Sequence, residues 1–354
     1  MSLARISAAE AASDLAQFST IIDARSPSEF ALDHLPGAVN WPTLDDEQRR
    51  IVGTEYKNVA AFDARKRGAM MAARNIAAHI ERDVLHQPRD WRPLVYCWRG
   101  GQRSGALALV LDQIGFPVQV LDGGYRGFRR VVLDEMERLP ATLSYCVIAG
   151  RTGSGKSRLL KALAAADAQV LDLEQLAEHR GSVLGLTPGQ VQPSQKMFDT
   201  RVWTALRGFD AARPVFIESE SRKVGNLRVP EALITAMRAS PCLRIDMPAA
   251  ERVQLLLQDY DFFTRDVATL CTRLDALRTL RGHERIDQWQ ALARSGDFEV
   301  LVRALLEEHY DPIYVASMER NFVHYAQARV LDLQDGGSAQ MAQAVTWAMA
   351  AAHP

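Results

Sequence analysis

The chain has 354 residues, 47% hydrophobic and 24% charged, with a net charge of −1. That is length for two domains with full cores, an ordinary globular composition, and no global positive excess to hold nucleic acid, so any RNA surface must be a local patch. The four cysteines, Cys97, Cys146, Cys242 and Cys271, form no CxxC pair. A structural zinc site is therefore not expected, and a chain without a disulfide framework suits a reducing cytoplasm. No signal peptide is read at the start of the sequence, and no apolar run is long enough to span a membrane, so no membrane partner is expected.

The first predicted strand is Thr20 to Asp23, followed by the turn Ala24-Arg25-Ser26-Pro27 into a short helix. His34-Leu35-Pro36-Gly37-Ala38 then forms a turn, with His34 read as a locally bonded turn residue. Residues 45–87 read as a long helical insertion carrying Arg49, Arg50, Lys57, Arg65, Lys66, Arg67 and Arg74. Such a charge run is either a solvated helix face or a surface for a phosphate backbone, and residue types alone leave both readings open.

Pro93 to Tyr96 is an apolar run that reads as a buried strand, and Ser104 to Ile114 reads as a helix. Between them lies Cys97-Trp98-Arg99-Gly100-Gly101-Gln102-Arg103. A loop from strand end to helix start turns its N–H groups toward an anion, and the helix dipole favours negative charge there. Gly100 and Gly101 let the amides converge, Ser104 opens the helix, and Arg99 and Arg103 add fixed positive charge. A cysteine with a pKa of about 8.5 is only roughly 3% ionised at pH 7, and these surroundings favour its thiolate. Cys97 is therefore the candidate nucleophile; a buried structural cysteine would not need two glycines and two arginines beside it. Val118 to Leu121 is the next strand, and Gly123-Gly124 opens a helix running to about Arg138.

The strand ending in Asp23, the His34 to Ala38 turn, the cysteine loop and the Gly-Gly turn together resemble the rhodanese domain. The resemblance implies that Asp23, Arg25 and Glu29 brace the core. Sulfur-transferring rhodaneses usually have four residues between cysteine and loop arginine, whereas Trp98 to Gln102 makes five. The related cell-cycle phosphatases use a longer loop of this kind for phosphate, so a donor larger than a sulfane sulfur is expected.

Leu139-Pro140-Ala141 punctuates the chain, and the domains are expected at 1–140 and 141–354. Leu143 to Ala149 is an apolar strand that runs into Gly150-Arg151-Thr152-Gly153-Ser154-Gly155-Lys156-Ser157, the full G-x-x-x-x-G-K-[ST] pattern, with a helix following. Between a strand and a helix that pattern is a strong sign of a phosphate loop. Gly150, Gly153 and Gly155 let amides wrap a di- or triphosphate, Lys156 neutralises it, and Ser157 can hold magnesium. Further strands are read at Val170 to Glu174, Pro214 to Arg222 and Leu243 to Asp246. Glu218 stands where a Walker-B acid would hold magnesium through water, or is a surface carboxylate beside Arg222. Strands alternating with helices predict a parallel sheet with ligands at its carboxyl ends.

Ala249 to Gln327 reads as mostly helical, with Leu255, Leu256, Leu270, Leu274, Leu277 and Leu280 as a core stripe. Arg273, Arg278, Arg281 and Arg285 form a second candidate basic patch, and His309-Tyr310-Asp311-Pro312 is expected to break one helix and start another. A last strand is read at Val330 to Leu333 and a closing helix at Ala339 to Ala352. The expected fold class is α/β: an N-terminal rhodanese-like domain and a C-terminal P-loop NTPase-like parallel-sheet domain with a helical extension.

The domain order, the Cys97-Trp98-Arg99-Gly100-Gly101 loop, Val52 to Lys57, Arg74 to His79, His179 to Ser182 and His309 to Pro312 resemble the tRNA 2-selenouridine synthase family over nearly the whole chain. The resemblance implies a bacterial transferase that exchanges sulfur for selenium in wobble 2-thiouridine of tRNA. It implies selenophosphate as selenium donor and geranyl diphosphate as the source of a group that activates the sulfur. Cys97 would then be catalytic, with Arg99, Gly100, Gly101, Arg103 and Ser104 around the donor anion. Residues 150–157 would seat the prenyl diphosphate, with Ser157 and Glu218 as magnesium candidates. Arg65, Lys66, Arg67 and Arg74 would face tRNA, and selenophosphate synthase is the protein partner to expect. No Asp-Asp-x-x-Asp run of ordinary prenyltransferases is present. Two readings remain open beside this one: a sulfurtransferase fused to an ATP-dependent kinase, and a non-catalytic docking module on a nucleotide-controlled switch.

Overall fold

The structure is a computed structural model describing residues 3–58, 60–182, 184–186 and 189–352. The chain divides into two compact units. The first runs to Glu135 and takes in Asp199–Thr204, and the second takes the rest from Met136. The sequence gives no signal for the grouping of 199–204 with the first unit. There Thr200 Oγ1 donates to Asp33 Oδ2 at 3.2 Å and Trp203 Nε1 to Glu135 at 2.8 Å.

The first unit holds five parallel strands, β1 (Ala4–Ile6), β2 (Thr20–Asp23), β3 (Ala38–Asn40), β4 (Pro93–Tyr96) and β5 (Gln119–Leu121), in the order β1-β5-β4-β2-β3. β4 is central and buried at every position, which is why it reads as an unbroken apolar run. β1 is a three-residue edge strand without a period long enough to read. The helices are α1 (Ala8–Ser13), α2 (Pro27–Leu32), α3 (Asp46–Asn58), α4 (Ala61–His79), α5 (Gln102–Ile114) and α6 (Gly124–Met136). Pro27 opens α2, and the Glu29 carboxylate accepts the Ser26 N–H at 3.3 Å, so that helix starts where the sequence says. α5 stops at Gly115, whose φ of +109° suits glycine. As expected, α3 and α4 supply the insertion, and a π turn at Ile80–Val84 follows α4.

The second unit holds β6 (Tyr145–Gly150), β7 (Gln169–Leu171), β8 (Val215–Glu218), the hairpin strands β9 (Lys223–Val224) and β10 (Leu227–Arg228), β11 (Cys242–Asp246) and β12 (Arg329–Asp332). Its parallel sheet has the order β12-β11-β6-β8-β7. Two predicted strands are shorter than read. β7 ends at Leu171 because Asp172 accepts the Gln175 N–H and caps α8 (Leu173–Leu176), so Glu174 lies on a helix. β8 ends at Glu218, and the polar residues after it turn into the β9–β10 hairpin.

Next come α7 (Lys156–Ala165), α9 (Gln195–Arg207) and α10 (Glu231–Arg238). The helical extension follows with α11 (Ala249–Asp259), α12 (Phe262–Arg265), α13 (Val267–Asp275), α14 (Arg278–Arg281), α15 (His283–Ser295), α16 (Phe298–Leu305) and α17 (Asp311–Asn321), before the closing α18 (Ser338–Ala352). Leu270, Leu274 and Leu277 pack with Trp289, Ile286 and Leu301 in its core. Leu280 departs from the expected stripe: it is 62% exposed, because α13 ends before it and α14 is a single turn. His309 and Tyr310 do not break the helix either. They lie in a π turn, Leu306–Tyr310, that joins α16 to α17, and Pro312 falls in the first turn of α17, where no N–H is needed.

Candidate active sites

The Cys97 loop leaves the carboxyl end of β4 and enters α5. Cys97 is 3% exposed, and its sulfur accepts the Gly101 N–H at 3.3 Å and the Ser104 hydroxyl at 3.2 Å. Burial alone would push the thiol up. The Ser104 hydroxyl and the N–H groups of Ser104, Gly101 and Arg99 outweigh it, and the thiol lies below its ordinary value. Arg99 is exposed at the rim. Arg103 is turned aside: its guanidinium meets Glu29 at 2.7 Å, and Arg49 of the insertion meets the same carboxylate at 3.4 Å. Burial opposes the charge on Glu29, but the two arginines outweigh it and hold the carboxyl below its ordinary range.

Two glycines make the loop possible. Gly100 has a φ of +68°, and a side chain there would meet the Leu121 carbonyl at 2.6 Å. At Gly124 a side chain would come within 2.3 Å of the Cys97 carbonyl. That closeness lets the Tyr125 and Arg126 N–H groups donate to the Cys97 and Trp98 carbonyls at 2.8 and 3.2 Å. Beneath the loop, Arg25 is 1% exposed, pairs with Asp23 at 2.5 Å and lies 4.1 Å from the centre of the Tyr125 ring. His34 bonds the Phe30 carbonyl at 2.9 Å and stacks on the Phe30 ring, as a turn residue does.

The basic insertion is partly neutralised from within. Arg50 pairs with Glu47 at 2.5 Å, Lys66 with Asp63 at 2.6 Å and Arg67 with Glu55 at 3.0 Å. Arg65 and Arg74 are exposed and have no ion pair among the described residues. They lie about two and a half turns apart along α4, on opposite flanks of its exposed side. In the second candidate patch each arginine is tied to a neighbour. Arg273 donates to the Leu184 carbonyl, Arg278 pairs with Asp287 at 2.7 Å, Arg281 bonds His309 and Arg285 pairs with Glu308 at 3.0 Å.

In the second unit the phosphate loop joins the carboxyl end of β6 to α7, with Gly153 and Gly155 at φ of +80° and +87°. Lys156 Nζ bonds the loop's own Gly150 and Arg151 carbonyls at 2.7 and 3.3 Å. Desolvation pulls its ammonium below the ordinary lysine value, and Glu174, Glu220 and Glu218 oppose that pull. Ser157 Oγ donates to Glu174 Oε2 at 3.3 Å, and the Glu174 N–H donates to Glu218 Oε1 at 2.8 Å. Glu218 is 2% exposed, so the surface-carboxylate reading is wrong. The acid that Ser157 meets is Glu174, with Glu218 behind it. Burial, reinforced by Glu220, pushes Glu174 up to about 8, and burial raises Glu218 and Glu220 as well. Among the described residues no group of three His, Cys, Asp or Glu is disposed to hold a metal unaided.

Two supports of this loop escaped the sequence reading. Arg252 is 3% exposed, donates to the Thr152 carbonyl at 2.8 Å and forms a two-pronged pair with Asp311 at 2.6 and 2.8 Å. The Gly150 N–H donates to the Tyr314 hydroxyl at 2.7 Å, and Ser219 lies 2.9 Å from that hydroxyl. No spacing signals such long-range partners; only the acids at 218 and 220 were visible as the end of a strand.

These two sites define a rhodanese-like cysteine unit and a P-loop unit carried on one chain. Residues 7–130 match the rhodanese-like domain, and residues 143–275 match the tRNA 2-selenouridine synthase AAA domain. The tRNA 2-selenouridine synthase of Nitrosomonas europaea is 30% identical, over 86% of this chain and 90% of that one. That of Marinobacter nauticus is 32% identical, over 83% and 87%. The chain belongs to the tRNA 2-selenouridine synthase family. A solved N-terminal domain of a putative ATP/GTP binding protein from Clostridium difficile is 28% identical, covering 37% of this chain and 99% of its own, at a TM-score of 0.32. No helix among the described residues is long and apolar enough to cross a membrane.

Proposed function

We propose that the chain converts wobble 2-thiouridine of tRNA to 2-selenouridine in two steps. In the first, the thio sulfur attacks the C1 carbon of geranyl diphosphate. The S–C bond forms, the C–O bond breaks and inorganic diphosphate leaves. In the second, the selenium of selenophosphate adds at C2 of the base, the C2–S bond breaks and the geranylated sulfur departs as a thiolate, and water attacks phosphorus so that the P–Se bond breaks and inorganic phosphate leaves. Lys156 and the loop amides of Gly153 and Gly155 bind the diphosphate and stabilise it as it leaves, while the Gly150 N–H stays on Tyr314 and fixes the start of the loop. Where magnesium accompanies it, Ser157 and Glu174 would hold the ion, with Glu218 behind them, and it would supply further neutralisation of the leaving charge. Cys97, with the amides of Gly101 and Ser104 and the rim charge of Arg99, serves selenium delivery from the anionic donor. The supply of that donor makes selenophosphate synthase the expected partner.

The observation that carries this reading is the Cys97 sulfur held by Gly101 and Ser104 in a chain that also carries an intact phosphate loop. The test is mass spectrometry of tRNA nucleosides made by two variants. Cys97→Ser, whose hydroxyl stays protonated, should form geranylated thiouridine and no selenouridine. Lys156→Ala should form neither from plain thiouridine, yet convert pre-geranylated tRNA. Selenouridine formed at a normal rate by Cys97→Ser removes the cysteine from the chemistry.

A further inference from the structure

Beside the phosphate loop lies a cavity of about 610 Å³, counting the space open to solvent. Its walls include Leu256, Tyr260, Phe263, Leu301, Leu305 and Leu306. Thr152 of the phosphate loop is part of the same wall. The join is close: a side chain at Gly153 would lie 3.0 Å from Leu256. A cavity continuous with a phosphate loop receives whatever the phosphates carry.

The lining decides what that is. The few polar side chains along it, Thr152, Ser182, Thr264 and the two tyrosines, leave most of the wall as carbon. The Tyr260 hydroxyl faces Ser182 and Arg180 and so is turned to neighbours, and the Tyr310 hydroxyl, buried without a hydrogen-bond partner among the described residues, adds a single polar atom to the wall. A purine brings ring nitrogens and an amino group that would be buried without partners there, which is costly. A branched hydrocarbon brings none, and aromatic and leucine walls suit it. Direction follows from the helix that forms one wall. Tyr314 bonds Gly150 at the loop, and Leu301 lies roughly 20 Å back along the same helical run, so the cavity leads away from the phosphates toward Leu301.

We infer that this cavity seats the apolar tail of the diphosphate ligand, a branched isoprenoid chain, and that Leu301 and Leu305 set the chain length it accepts. This rests on the reading of residues 150–157 as a diphosphate seat. It adds that the second unit selects its substrate by the tail.

Calorimetry on the full chain tests it with inorganic diphosphate, dimethylallyl diphosphate, geranyl diphosphate, farnesyl diphosphate and ATP. Geranyl diphosphate should bind about tenfold or more tightly than dimethylallyl diphosphate, since one further five-carbon unit is buried. Leu305→Trp should remove at least tenfold of the geranyl affinity and leave inorganic diphosphate unchanged. Leu301→Ala should raise the affinity for farnesyl diphosphate. Equal binding of the dimethylallyl and geranyl compounds by the unaltered chain, or ATP binding more tightly than geranyl diphosphate, overturns the inference without any variant having to fold. If inorganic diphosphate is still bound, and lost in Lys156→Ala, the phosphate-loop reading survives that failure. A chain that binds no inorganic diphosphate sinks both.

Discussion

The Ser104 hydroxyl donates to the Cys97 sulfur across 3.2 Å from the first turn of α5. It opposes the burial that would otherwise keep the thiol protonated. Ser104→Ala should therefore slow iodoacetamide labelling of Cys97 about fivefold at neutral pH, the worth of one ordinary hydrogen bond. The labelling midpoint should move to higher pH. Peptide mapping of the alkylated chain reads this directly, with Cys97→Ser as the blank for the other cysteines. An unchanged rate would mean that the backbone N–H groups alone hold the sulfur.

At the phosphate loop, burial reinforced by Glu220 pushes Glu174 up to about 8, which favours its protonated form at neutral pH. Raising the pH through that value adds a negative charge beside Lys156. Affinity for inorganic diphosphate without metal should fall between pH 7 and 9, and the fall should be shallower in Glu174→Gln. The folded chain also holds this proton more tightly than the unfolded one. Its contribution to stability therefore declines as pH climbs from the ordinary carboxylate range through about 8. Parallel pH profiles for the two proteins would refute the assignment.

The Arg252–Asp311 pair predicts a stability effect. Asp311→Ala leaves a buried guanidinium without its carboxylate and should cost about 3 kcal/mol of unfolding free energy, measured in urea. A loss well under 1 kcal/mol would show that Arg252 finds water or another partner.

On the insertion, Arg65 and Arg74, like Lys57, are exposed cations without an ion pair among the described residues, whereas Lys66 and Arg67 already face carboxylates. Arg65→Glu and Arg74→Glu should each weaken tRNA binding severalfold and flatten its salt dependence by about one phosphate contact. Lys66→Glu should do less. Equal effects from all three would point to a diffuse field rather than to particular contacts.

Much of this was legible because its cause is local. β4, β6 and their loops carry an apolar run, a glycine-rich turn and a helix start within a few residues of one another, so the Cys97 and Lys156 loops could be read directly. Glu174 was misread as strand because an apolar run ending in acids looks the same whether the acids close a strand or cap a helix. The arginines 273 to 285 looked like a patch because their partners, Asp287, His309 and Leu184, lie on other elements. Arg252, Tyr314 and the cavity walls carry no signature at all. Their roles come from helices brought together only by folding.

The bonds from Tyr125 and Arg126 to the Cys97 and Trp98 carbonyls have another side. They make the cysteine loop the N-terminal cap of α6, since two amides that the helix cannot satisfy internally end on that loop. Loosening the loop would strip those amides of partners, so its shape is fixed before any anion arrives. An anion docking there would bind without first having to order its own cradle, the ordering being supplied by a helix that need never touch it.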